Sequence, residues 1–338
     1  MQSKSIVGAL VVSGTLSGCP DPDPGDEGLR PASWRTALDA DDSIGAFLSV
    51  WGASADDVWA VGGQVDALGD RGTGAAYRRQ AGAWAAADLP ADAPLLNWVH
   101  GTASRLWIVG NAGAAYYREG EAWTTTETGT DAPLWGCWAV ADDDVWAVGG
   151  DALNPDADPV IVHFDGTAWS DHALPELDRD ANAMFKVWAA AADDVWVVGD
   201  SGVILHFDGQ AWAQTPSGTG ADLISLWGTG PDNVVAVGGR SIGTIARWNG
   251  TAWSVEEVGR IPGINGVWMD ERGDAALAGN DGAAALLYAP AFETELEESG
   301  AGIMVLHGIY GFDNGERISV GGSLNRSPPY FGIIVETD

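Results

Sequence analysis

An all-β fold is predicted: a ring of seven four-stranded blades, a β-propeller, whose last blade is closed by the N-terminal strand. Three observations predict it. A glycine ending a short Val- and Trp-rich run recurs at Gly62, Gly110, Gly149, Gly199, Gly238, Gly279 and Gly321, with spacings of 48, 39, 50, 39, 41 and 42 residues. That period belongs to propeller blades, not to helical or leucine-rich repeats. Each period holds short runs of β-branched and aromatic residues, broken by Asp- and Gly-containing turns, which is the pattern of hairpins. Finally, the last unit lacks a fourth strand, while the start of the chain carries an orphan one. An open array of six blades is the alternative.

In chain order, residues 1–18 read as a signal peptide. Lys4 supplies a positive charge, and the apolar run from Ile6 to Leu16 is too short to span a bilayer but suits secretion. Leu16-Ser17-Gly18-Cys19 resembles a bacterial lipobox, which implies that Cys19 becomes the lipidated first residue of the mature chain. Residues 19–31 read as a tether, because Pro20-Asp21-Pro22-Asp23-Pro24 cannot pack a core or form a helix. Asp21 resembles an inner-membrane retention signal of some bacteria. Outer membrane or cell surface is nonetheless the favoured location. With Cys19 acylated, Cys137 has no disulfide partner; it reads as a small buried hydrophobe, with a reactive thiol as the alternative.

Residues 32–338 read as the propeller. The best-preserved unit runs from Phe185 to Trp212 and shows the plan. Strand A carries a VWG-like segment, as in Val50-Trp51-Gly52, with an aromatic eleven residues before the marker glycine: Trp51, Trp138, Trp188, Trp227, Trp268 and Tyr310. In the second unit either Trp98 or His100 takes that place. Strand B is the VWAVG segment, strand C runs into a turn such as Asp165-Gly166 or Asp208-Gly209, and strand D begins with Trp, as at Trp84, Trp123, Trp169, Trp212 and Trp253. The sixth unit is the weakest, with Ala275 to Gly279 as strand B and Phe292 standing in for the last Trp. The seventh unit stops after strand C, and Ala32-Ser33-Trp34-Arg35 supplies the missing strand D. That exchange hides sheet edges and joins the ends of the chain.

The Gly-Gly pairs at Gly62-Gly63, Gly149-Gly150, Gly238-Gly239 and Gly321-Gly322, followed by an aromatic and a Trp, resemble kelch repeats. Turns such as Asp165 to Trp169 are similar to the Asp boxes of sialidase-like propellers. Both likenesses are incomplete, the Asp-to-Trp interval being one residue short for an Asp box. From Trp34 onward the chain most resembles bacterial Trp-rich VWG/DVWAVG repeat proteins identified as envelope lipoproteins. This resemblance implies a fold and a location but no activity.

Composition limits the function. Asp and Glu number 48 against 16 Lys and Arg, a net charge of -32, and Lys4 and Lys186 are the only lysines. Such a surface excludes electrostatic binding of nucleic acid or anionic membrane, so contact with a membrane is through the lipid anchor alone. Solvation is the preferred reading of the acidity, with a saline habitat or divalent-ion sites as alternatives. The A-to-B and C-to-D turns on one face are rich in Asp, which reads as Asp bonding its own backbone. The opposite face carries two long B-to-C loops, where irregularity on a repeated scaffold points to ligand binding. Their candidate ligand-binding residues are Asp66, Asp70 and Arg71 in the first and Asp151, Asn154, Asp156 and Asp158 in the second. Asn154, Asp156 and Asp158 have the alternating oxygen spacing that opens a calcium loop, although Pro159 stands where such a loop needs Gly. No other cofactor is indicated. His163 and His206 share one place in strand C of successive units, where others have Arg78, Tyr117 and Arg247, which reads as a partly exposed position and not a metal pair. No GxSxG, HExxH or phosphate loop occurs. The expected function is a non-catalytic binding or scaffolding module for an envelope protein or glycan. A polysaccharide-acting glycosidase or lyase and a carbohydrate-binding lectin are the alternatives.

Overall fold

A computed structural model describes residues 28–40, 44–66 and 71–338. The expected signal peptide, Cys19, the tether through residue 27, and Asp70 lie outside the described residues. Among the described residues no helix is long and apolar enough to cross a membrane.

The described residues form seven four-stranded antiparallel sheets. Ahead of the first complete blade lies β1 (Trp34–Ala40). Blade one is β2 (Ala46–Ser54), β3 (Asp57–Gln64), β4 (Thr73–Gln80) and β5 (Ala83–Ala86). Blade two is β6 (Leu96–Gly101), β7 (Arg105–Gly110), β8 (Ala114–Glu119) and β9 (Ala122–Glu127). Blade three is β10 (Leu134–Ala141), β11 (Asp144–Gly149), β12 (Val160–Phe164) and β13 (Trp169–Asp171). Blade four is β14 (Met184–Ala191), β15 (Asp194–Gly199), β16 (Ile204–Phe207) and β17 (Trp212–Gln214). Blade five is β18 (Leu223–Gly230), β19 (Asn233–Gly238), β20 (Gly243–Trp248) and β21 (Trp253–Val258). Blade six is β22 (Ile264–Met269), β23 (Ala275–Gly279), β24 (Ala283–Tyr288) and β25 (Glu293–Glu298). The ring closes with β26 (Leu306–Gly311), β27 (Arg317–Ser323) and β28 (Phe331–Thr337), whose free edge takes β1 in antiparallel register, Trp34 opposite Thr337. Seven blades and the closing strand are therefore as the sequence predicts. The packed chain begins a little before residue 32, since Leu29 is buried in the cluster that holds Trp268 and Leu306.

Tryptophan holds the blades together. The strand-B indole of one blade meets the strand-D indole of the next edge-to-face: Trp59 with Trp123, Trp107 with Trp169, Trp146 with Trp212, and Trp196 with Trp253, at 5.5 to 6.0 Å between centroids. Each such pair adds about 1 kcal/mol beyond the area it buries. The C-to-D turns owe their shape to their first residue. Asp165 Oδ1 accepts the N–H groups of Thr167 and Ala168, Asp208 Oδ1 those of Gln210 and Ala211, and Asn249 Oδ1 those of Thr251 and Ala252. Those bonds hold the Asp165 and Asp208 carboxyls below the usual range, as expected of turn-forming aspartates.

Candidate functional site

The axis is built from strand A. In each blade this strand bulges near its start, with a register shift such as that between Leu134 and Gly136 or between Met184 and Lys186. Beyond the bulge come the marker aromatics. His100 lies opposite Trp107 just as Trp51 lies opposite Trp59, so His100, not Trp98, is the second unit's member of the set. Trp138 and Trp227 are 5.2 Å apart, and Trp227 and Tyr310 5.8 Å, although blades three, five and seven share no seam. Contacts of that kind arise only across the axis. The rings therefore plug the axis toward the A-to-B turns. The glycine of each VWG segment makes room for the plug. A Cβ at Gly228 would stand 2.7 Å from the Trp188 ring, and one at Gly311 2.5 Å from the Trp268 ring.

Above the plug lies Lys186, only 8% exposed. Its Nζ donates to the carbonyls of Trp135 at 2.9 Å and Phe185 at 3.1 Å and stands 4.1 Å from the centre of the Trp98 ring. No carboxylate pairs with it among the described residues. Its stem crosses the blade-three strand at Gly136, where a Cβ would be 3.3 Å from Lys186 Cδ. Burial pulls the amine down to about 7, far below a free lysine. Near the starts of the A strands of other blades, Trp135, Ile224, Asn265 and His307 are half-buried. His307 Nε2 donates to the Gly322 carbonyl, and burial, with the Lys186 charge as a lesser cause, brings it to about 4. Sequence reasoning noticed Lys186 only as a rarity. Its register was the missed signal: Ser49, Gly136, Ser225, Gly266 and Gly308 stand at the same place in other blades.

The two loops singled out in the sequence share the open face but do not meet. Asp66 Oδ2 accepts the N–H groups of Arg71 and Gly72 at 3.2 Å each, and Arg71 Nη2 donates to the Asp92 carbonyl, so this loop folds onto blade two. In the other loop Asp151 Oδ1 accepts from Leu153 N–H and Asn154 Oδ1 from Asp156 N–H, while Asn182 Nδ2 holds the Pro155 and Ala157 carbonyls from blade four. Asn154, Asp156 and Asp158 are exposed. Asp156 and Asp158 line an open cleft of about 680 Å³ with His172 and Arg179. Among the described residues no group of three or more His, Cys, Asp or Glu side chains is placed to share a metal ion.

His163 and His206 each serve their own blade. Their Nε2 atoms lie 2.7 Å from Asp144 Oδ1 and Asp194 Oδ1, and their rings stack on Trp146 and Trp196 at 4.2 and 4.1 Å. Arg78 does the same with Asp57, at 2.7 and 2.8 Å, over Trp59. In blades one, three and four the strand-C position is thus half-buried and paired with the Asp that opens strand B. Cys137 is fully buried, and burial pushes its thiol well above the usual range, the state of a packing residue and not a nucleophile.

No protein-family model and no curated protein sequence matches the chain. Solved structures do. YCF48 bound to a D1 peptide aligns with a TM-score of 0.63 at 13% identity, over 91% of this chain and 97% of that one. The WD40 β-propeller domain of Doa1 aligns with a TM-score of 0.67 at 11% identity, over 90% and 97%. A streptogramin B lyase aligns with a TM-score of 0.68 at 11% identity, over 93% and 99%. At these identities the likeness is one of fold.

Proposed function

We propose that the chain is a non-catalytic binding module, lipid-anchored through Cys19 at the cell envelope, whose B-to-C and D-to-A face docks on another protein. One observation carries the reading. Among the described residues six large apolar side chains are strongly exposed: Leu153, Ile242, Ile303, Leu324 and Phe331 belong to that face, and Leu296 lies elsewhere, on an outer strand. The turns of the opposite face are instead occupied by aspartate. Exposed apolar side chains concentrated on one face mark a protein contact, and the fold is one that in YCF48 holds a peptide.

The test is capture of an envelope protein by the mature chain, with Leu153→Asp plus Ile303→Asp as the variant. These residues are 85% and 89% exposed, so the fold tolerates the change. Capture should be lost in that variant and retained when Asp165 on the other face is changed to Asn. Equal capture by all three, or turnover of a glycan panel by the unaltered chain, sinks the reading. The anchor is tested separately: Cys19→Ala should release the protein from membranes.

A further inference from the structure

We propose that the seam between blades five and six, on the face of the A-to-B and C-to-D turns, holds an oxyanion site centred on Arg247. Four blades carry at least part of a polar clasp, in which the strand-C side chain lies on the strand-B indole and, in blades one, three and four, pairs with the Asp that opens strand B. Blade five has lost both supports. Asn233 stands where Asp57, Asp144 and Asp194 stand, and Val235, opposite Arg247, replaces the indole. Across the seam, Phe292 replaces the strand-D Trp, so the slot that two edge-to-face indoles fill elsewhere is lined by smaller side chains.

Arg247 fills that slot without a hydrogen-bond partner for two of its nitrogens. It is only 7% exposed, and its Nε and Nη2 are buried with no hydrogen-bond acceptor. The Asn233 amide turns away, its Nδ2 donating to Thr229 Oγ1 at 2.8 Å. The nearest aromatic, Phe292, has its ring centre 6.0 Å from the guanidinium carbon. Arg247 lines an open pocket of about 650 Å³ together with Asn233, Trp248, Asn249, Ser254 and Arg272. Asp232 sits exposed at its rim, and Asp274, whose charge favours ionised Arg247, is bonded to the Ala289 N–H at 2.8 Å and is not within ion-pair distance of the guanidinium. A buried guanidinium with free donors is costly unless an anion completes it. Planar donors of this kind match a sulfate, phosphate or carboxylate group. The ligand class is therefore an oxyanion, and the site is independent of the apolar face proposed for protein docking.

Calorimetric titration of the mature chain with sulfate, phosphate and acetate at fixed ionic strength tests it and separates the three sources. At least one should bind. Arg247→Met should weaken binding about tenfold or more, the worth of a charged hydrogen bond. Asn233→Asp should abolish it as well, because it rebuilds the internal Arg–Asp pair that blade one already has, and should raise the melting temperature. That second variant keeps the test sound even if Arg247→Met misfolds. Failure of all three anions to bind, or binding that survives Asn233→Asp, overturns the proposal.

Discussion

Arg317 and Glu297 meet across the seam between blades six and seven with side chains 1% and 2% exposed, Nη1 and Nη2 donating to Oε2 and Oε1 at 2.8 and 3.0 Å. Arg317 Nη2 also donates to the Arg30 carbonyl, and Glu297 Oε1 accepts the Ala32 N–H. One ion pair thus ties two blades to the segment that leads into the closing strand. A buried pair of this kind is expensive to break on one side only. Glu297→Gln should lower stability by about 3–5 kcal/mol, whereas the paired apolar change Glu297→Leu with Arg317→Met should recover most of that loss. Urea unfolding midpoints check both; a single-variant cost under about 1 kcal/mol would contradict the assignment.

The closing strand makes a second prediction. The Asp338 N–H donates to the Ser33 carbonyl at 3.0 Å, so the last strand and β1 form a hairpin lacking only its turn. Deleting the chain through Ala40 should leave β28 with a naked edge and produce aggregates. Moving residues 33–40 to follow Asp338 through a short Gly-containing turn should restore a soluble monomer. Size-exclusion chromatography distinguishes the outcomes.

Lys186 is the only lysine besides Lys4. Once the leader is removed, amine-specific reagents can reach only Lys186 and the new N-terminal amine, which peptide mapping separates. The labelling rate of Lys186, read by mass spectrometry against pH, should rise with a midpoint near 7. A midpoint above about 9, closer to a free lysine, would show that the amine is hydrated. Because its folded pKa is depressed, native Lys186 gives up its proton near neutrality while the unfolded chain keeps its own to higher pH. This group therefore makes the protein more stable as pH rises above 7.

Two buried histidines give the acid limb. Burial holds His100 at about 3 and His307 at about 4. Below the unfolded value near 6.5 the unfolded chain takes up protons that the native state refuses, so stability falls as the pH drops from 6.5 toward 4. His307→Gln retains an N–H for the Gly322 carbonyl and removes one titration. Its stability should vary less over that window than that of the unaltered chain, as melting temperatures at several pH values will show.

Period, strand order and ring closure were legible because each rests on residues repeated in register: the marker glycines, the DVW openings and the strand-D indoles. Trp34 without a preceding unit was enough to place β1. Side chains at the axis were not legible. The bulge in strand A breaks the two-residue alternation there, so Lys186 reads as one charge in an apolar run and the ambiguity between Trp98 and His100 could not be settled. The clasp was half-legible: His163, His206 and Arg78 could be aligned, but their link to the strand-B aspartates depends on pairing across a sheet. Arg247 then stands out only against that link, since its oddity is the absence of a partner its counterparts have.

The aromatic plug has a further consequence. In stacked repeat arrays each unit touches only its neighbours, and the array melts piecemeal from its ends. Here Trp138, Trp227 and Tyr310 join blades that are otherwise strangers, and their contacts exist only when the whole ring is seated. They act as a keystone. Losing any one blade strips support from those opposite, which couples the unfolding of non-adjacent blades in a way an open array lacks.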